Sequence, residues 1–166
     1  LMQVRTLRAL LVRYAFGNVP AADVEAAGRA FARQVLPAHV RPEMLARIAA
    51  HRARGDTVVV VSGGFDVYLA PWCATHGIEL VCASLERDGA RLTGRYAGAQ
   101  CVGAEKVRRV RSRYDVSAYR QIQAHGDTHE DHALLAFADV ATYRGAPWPV
   151  TSADRPAPVG ASGTWP

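Results

Sequence analysis

Thr57-Val58-Val59-Val60-Val61-Ser62-Gly63-Gly64-Phe65-Asp66 is the stretch around which this chain is organised. Residues 57–61 are all β-branched, a run that predicts a strand covered on both faces, as in a parallel sheet. Ser62-Gly63-Gly64 then breaks the run. A small hydroxyl followed by glycines leaves backbone N–H groups free to approach an oxyanion, with Ser62 Oγ as one more donor. In open α/β sheets ligands bind beyond the carboxyl ends of the strands, where this Ser-Gly-Gly falls. An ordinary strand-to-helix turn explains the same residues equally well, so the decision rests on the flanking sequence.

Upstream, residues 1–17 read as a helix with Leu7, Leu10, Leu11 and Tyr14 at helical spacing and Gly17 as its stop. Pro20 and Asp23 open a second helix to about residue 35, with Val24, Ala27, Phe31 and Val35 on one face. Pro42-Glu43 starts a third, to Arg54, with Met44, Leu45 and Ile48 inward. Downstream, residues 65–76 predict a helix packing Val67, Leu69 and Trp72, stopped by Gly77. A strand over 78–85 and a hairpin turn at Arg87-Asp88-Gly89 lead into a strand over 91–96. A basic helix spans 105–113, and a rather polar strand spans 119–125. Gly126-Asp127-Thr128-His129-Glu130-Asp131 then opens a helix running through Phe137. From Gly145 onward, repeated prolines with Gly and Ser predict a flexible tail.

The 166 residues suit one domain with a sizeable core, and 49% hydrophobic with 21% charged residues is an ordinary globular balance. Arg8 and Arg13 interrupt the apolar region nearest to membrane-spanning character, and no signal-peptide pattern occurs, so a cytoplasmic protein without a membrane partner is expected. Cys73, Cys82 and Cys101 are odd in number and not closely paired, which argues against a disulfide framework or a four-cysteine zinc site. The net charge of +5 raises the question of nucleic acid. The helix over 105–113 lacks interleaved aromatics for base stacking, however, and reads as a solvated face. Among 20 Lys and Arg residues Lys106 is the sole lysine. A compact ammonium contacting a phosphate or carboxylate as a point charge would explain its retention, as would chance.

Asp127 and Asp131 fall at a strand end and on the first turn of a helix, so both can face one point. Two carboxylates without a matching His/Cys set suit a hard, oxygen-seeking cation, Mg²⁺ before Zn²⁺. Helix capping explains the same aspartates. His125, His129 and His132 read as a solvent-exposed cluster on another side of the helix. Taken together, an oxyanion-binding Ser-Gly-Gly, a lone lysine and paired aspartates near strand ends are the parts of a phosphoryl-transfer site.

In order and spacing, residues 60–66, Gly89-Ala90-Arg91-Leu92-Thr93-Gly94, Gly103-Ala104-Glu105-Lys106-Val107 and Gly126-Asp127-Thr128…Asp131 resemble the haloacid-dehalogenase (HAD) superfamily. The branch they are most similar to is the phosphoserine-phosphatase-like subfamily IB. The resemblance covers about residues 7–145 and implies an α/β fold, a Rossmann-like core with a parallel sheet and a small helical cap. It places a cap remnant at 1–40, the core at 41–145 and the Pro/Gly-rich tail at 146–166. It implies Ser62 and Gly63 as phosphate ligands, Lys106 as the catalytic, phosphate-binding lysine, and Asp127 and Asp131 as the acids of a Mg²⁺ site. Arg8 or Arg13 would touch a substrate carboxylate. The substrate would be a small phosphorylated metabolite. Family members carry an Asp-x-Asp strand whose first aspartate is the nucleophile, and no Asp-x-Asp occurs here. Glu130 also stands where phosphoserine phosphatases usually have Asn. An N-terminally truncated phosphatase lacking its first core strand is the expectation. An inactive phosphate- or partner-binding pseudophosphatase is the alternative.

Overall fold

A computed structural model describes residues 4–149, which divide into two compact units, one ending at Cys101 and the other beginning at Val102. The first unit starts with α1 (Val4–Phe16), the short strand β1 (Gly17–Pro20), α2 (Ala21–Gln34) and α3 (Pro42–Ala53). Next come β2 (Val59–Phe65), α4 (Asp66–His76) and β3 (Glu79–Ala83), followed by the hairpin of β4 (Leu85–Asp88) and β5 (Arg91–Tyr96). β2 pairs with β3 in parallel, the βαβ arrangement that the β-branched run predicts. β1 and β4 flank β5 in a separate antiparallel sheet. This makes the α/β class explicit. The strand foreseen over 78–85 divides at Ser84, because its first half belongs to the parallel pair and its second half to the hairpin.

Two apolar clusters hold this unit together. Val12, Ala21, Leu85 and Leu92 form one, with Phe16, Val24, Phe65 and Tyr96 packed around it. Ala32, Trp72, Cys73 and Ile78 form the other, backed by Leu45, Ile48, Val60 and Leu80. Leu69 and Trp72 are buried as expected, and Gly77 ends α4 in the left-handed conformation at φ 60°. All three cysteines are unpaired thiols in this unit, Cys73 and Cys101 buried and Cys82 half-buried. Burial pushes the Cys73 thiol up to about 11.

Both N-terminal helices turn a different face inward from the one their large residues mark. On α1 the stripe Leu7, Leu10, Leu11 and Tyr14 is exposed, Tyr14 at 92%, while Val12 and Phe16 meet Leu85 and Leu92. That helix carries two apolar faces, and periodicity cannot choose between them. On α2 Ala27, Phe31 and Val35 are exposed, whereas Ala21, Gly28 and Ala32 are buried. The cause is proximity: a Cβ on Gly28 would stand 2.3 Å from the Val67 carbonyl oxygen, so α2 and α4 cross where only small residues fit.

The second unit contains α5 (Ala104–Arg113), β6 (Gln123–Gly126), α6 (His132–Phe137), β7 (Val140–Tyr143) and β8 (Ala146–Pro147). β6 and β7 pair in parallel, and β8 returns antiparallel to β7. The polar strand foreseen over 119–125 shortens to β6. Residues 116–118 before it form a 3₁₀ turn, with the Asp115 carboxylate accepting from the Ser117 amide. Ala124, Leu135, Ala138 and Ala141 form its core, with Trp148 packed on it. Residues 146–148, expected in the tail, are thus part of the folded unit, and residues 150–166 lie outside the described residues. Among the described residues no helix is long and apolar enough to cross a membrane.

Candidate functional site

Ser62 and Gly63 lie within the carboxyl end of β2 rather than after it. The strand continues to Phe65, with Ser62 opposite Cys82 and Phe65 opposite Ala83, and the register shifts between them. Gly63-Gly64 is therefore a bulge that ends parallel pairing just before α4 begins at Asp66. Within it the Gly64 amide donates to Ser62 Oγ at 3.0 Å, so that amide is committed to the loop's own turn. Ser62 Oγ accepts this bond and keeps its own proton for another acceptor. All of β2 is half-buried, which leaves its bulge accessible. Asp66 opens α4, where its negative charge faces the positive end of the helix dipole. Its Oδ1 is buried with no hydrogen-bond partner among the described residues.

In the second unit the sequence motifs converge on Asp131. Lys106 Nζ, on the first turn of α5, donates to Asp131 Oδ1, and both side chains are buried, at 7% and 12% exposure. Asp131 Oδ2 accepts from the Thr128 hydroxyl at 2.8 Å, the Thr128 amide at 3.0 Å and the Asp127 amide at 3.2 Å. Thr128 and Asp131 close a reciprocal capping box on the 3₁₀ turn His129–Asp131. The capping role considered for the aspartates is thus real for Asp131 and coexists with its pairing to Lys106. Burial pushes the Asp131 carboxyl up, but the Lys106 ammonium and the Thr128 donors outweigh it and hold the group below its ordinary value. Gly126 gives the carboxylate room, since a Cβ there would lie 2.5 Å from Asp131 Cβ. The Gly103 amide donates to the Glu130 carbonyl at 3.0 Å, tying the segment before α5 to the Asp127–Asp131 loop.

Asp127 is exposed, and its carbonyl accepts from Arg144 Nε at 3.0 Å. The histidines depart from the expected solvent-exposed cluster. His129 is exposed, but His125 bonds Thr142 Oγ1 at 2.7 Å through Nδ1, and His132 packs between Tyr143 and Trp148 at 5.1 and 4.7 Å. The return of β8 brings Trp148 there, a long-range event that local spacing does not encode. Among the described residues no group of three or more His, Cys, Asp or Glu gathers as a metal cluster. On α5 Arg108 and Arg109 fork onto Glu105 and hold its carboxyl down at about 2. Arg8 and Arg13 both lie on α1, Arg8 half-buried and Arg13 exposed. Thr128 was missed by the sequence reading, although Thr-x-x-Asp is itself a capping-box pattern.

A family model described as haloacid dehalogenase-like hydrolase matches residues 3–136, a span that includes Ser62, Lys106, Asp127 and Asp131. The chain belongs to the HAD-like hydrolase family. Protein CicA of Caulobacter vibrioides (strain NA1000 / CB15N) is 34% identical to this HAD-like chain over 140 residues. That alignment covers 83% of this chain but only 63% of CicA. Among solved structures, a protein of unknown function from Bordetella pertussis Tohama I superposes with TM-score 0.70 at 19% identity, covering 81% of this chain and 62% of that one. A probable phosphoserine phosphatase from Vibrio cholerae superposes with TM-score 0.60 at 22% identity, covering 86% and 42% respectively. The fold is thus one shared with these solved structures, the probable phosphoserine phosphatase among them.

Proposed function

We propose that the complete gene product is a Mg²⁺-dependent phosphomonoester hydrolase acting on a small phosphorylated metabolite through an aspartyl-phosphate. The observation that carries this reading is the buried Lys106–Asp131 pair, in a chain whose Ser62-Gly63-Gly64 bulge stands at the end of a parallel strand. A fixed ammonium and an oxyanion-binding backbone are what phosphoryl transfer asks of a protein, because the reaction's main demand is to position and neutralise phosphoryl oxygens. In the first unit Ser62 and the Gly63 amide would hold phosphoryl oxygens, and in the second Lys106 is an ammonium already fixed by Asp131. The nucleophilic Asp-x-Asp pair is absent from the 166 residues. The proposal requires an Asp-x-Asp nucleophile outside these 166 residues.

The residues present fit Mg²⁺. Asp127 offers an exposed carboxylate, and Asp131 Oδ1 keeps a lone pair beyond its bond to Lys106, whereas Oδ2 already accepts three hydrogen bonds. An oxygen-only donor set suits a hard cation that retains water, and when bound it would neutralise charge on the phosphoryl oxygens. The pair to Lys106 and the capping box fix the Asp131 rotamer in advance of any ligand.

Expression of the complete open reading frame, with phosphate release from p-nitrophenyl phosphate as readout, tests the proposal. Turnover that requires Mg²⁺, stops with chelator and falls at least a hundredfold in Lys106→Met is the expected result. A complete protein that binds phosphate without releasing it from any ester would establish the pseudophosphatase alternative instead.

A further inference from the structure

We propose that the Tyr68 hydroxyl is an additional donor of the Ser62–Gly64 anion site and contacts an oxygen of the bound phosphoryl group. This rests on the phosphoryl reading of that bulge. Tyr68 lies in the first turn of α4, and helical side chains lean toward the helix N-terminus, here back toward the bulge. Its Oη lies 2.2 Å from where a Cβ on Gly64 would stand, and its Cζ 3.1 Å away. The phenol therefore rests directly on the Gly64 backbone. Gly64 is absent from the positive-φ glycines, so the backbone conformation there does not require glycine. Room for the tyrosine hydroxyl does.

The ring is held in place, since Phe31 of α2 meets it edge-on at 5.4 Å and 70°. Phenylalanine would fill the same space and keep that contact. Tyr68 is half-buried and its hydroxyl is not among the buried unsatisfied atoms, so it stays accessible with its proton available to a ligand. Gly64 N–H is committed to Ser62 Oγ, which leaves the bulge one backbone donor fewer than its glycines suggest. A phenolic O–H beside it supplies a replacement, directed by a rigid ring on a helix rather than by the loop.

The test titrates inorganic phosphate with Mg²⁺ into the complete gene product by calorimetry, for the parent, Tyr68→Phe and Ser62→Ala. Hydrogen bonds to charged groups predict that Tyr68→Phe weakens phosphate roughly tenfold or more. Its melting temperature should match the parent's, because the ring contact with Phe31 is kept. Gly64→Ala should weaken phosphate in the parent and have a smaller effect in the Tyr68→Phe background, as expected if it acts by displacing the hydroxyl. Unchanged affinity in Tyr68→Phe, with affinity lost in Ser62→Ala, overturns the role of Tyr68 and leaves the phosphoryl reading standing. A parent protein that does not bind phosphate at all overturns both.

Discussion

Ser62 and Lys106 sit in units whose polar groups are organised by different means. Around Ser62 the organisation is backbone: a two-glycine bulge in a half-buried strand, with one internal hydrogen bond and no ion pair among the described residues. Around Lys106 it is side chain: a buried ammonium, a buried carboxylate and three further donors onto that carboxylate. The Ser62 hydroxyl can be lost with little consequence for folding. The network cannot, because removing one member strands the charge of another. The difference teaches which site residues are bound up with stability and which are available to chemistry alone.

Asp131→Ala should produce the largest effect. It removes the carboxylate facing the buried Lys106 ammonium and should cost about 3–5 kcal/mol in urea denaturation. Adding Lys106→Met should recover part of that loss, since no uncompensated charge then remains. The same pair predicts a pH dependence. The folded Asp131 carboxyl is held below its ordinary value of 3.8, so its stabilisation is fully present above that value and is lost as pH falls through the folded one. Parent and Asp131→Asn stabilities, measured from neutral to acid pH, should therefore converge on acidification. A gap that stays constant would show that Asp131 contributes by shape and hydrogen bonding rather than charge.

Gly28→Ala comes next and tests whether the first unit is as tolerant at its helix crossing as at the Ser62 hydroxyl. Its methyl would press on the Val67 carbonyl, and overpacking of this kind costs ~1–3 kcal/mol. Ser62→Ala removes one acceptor from the Gly64 amide and should cost about 1 kcal/mol or less. A loss as large as that of Asp131→Ala would erase the contrast between the units. Smallest of all is Arg87→Ala, which removes a surface pair to Glu25 and should leave the melting temperature within experimental error.

The βαβ unit, the hairpin and the order of the motifs were legible because local signals state them: a β-branched run, Gly77 as a helix stop, Asp88-Gly89 before a strand. What stayed hidden depends on partners distant in sequence. β1 is Gly-Asn-Val-Pro, a turn by composition, and is a strand only because β5 pairs with it at a sheet edge. The inward face of α2 follows small residues rather than large ones because α4 comes so near. Within the site, Lys106 and Asp131 were each legible as motif members, but their contact joins residues 25 positions apart and has no local signature. Tyr68 had no signal at all, since only the fold brings its hydroxyl onto Gly64.

The distribution of thiols has a practical consequence. Cys73, Cys82 and Cys101 all belong to the first unit, and Cys73 and Cys101 are buried. A thiolate-selective reagent therefore labels the buried pair only during openings of that unit, because burial blocks access and pushes the closed-state Cys73 thiol up to about 11. The second unit has no cysteine among the described residues and stays silent. Labelling followed by mass spectrometry thus clocks the opening of one unit in the unmodified protein, while the Lys106–Asp131 unit is followed separately by amide exchange at Asp127 and Thr128.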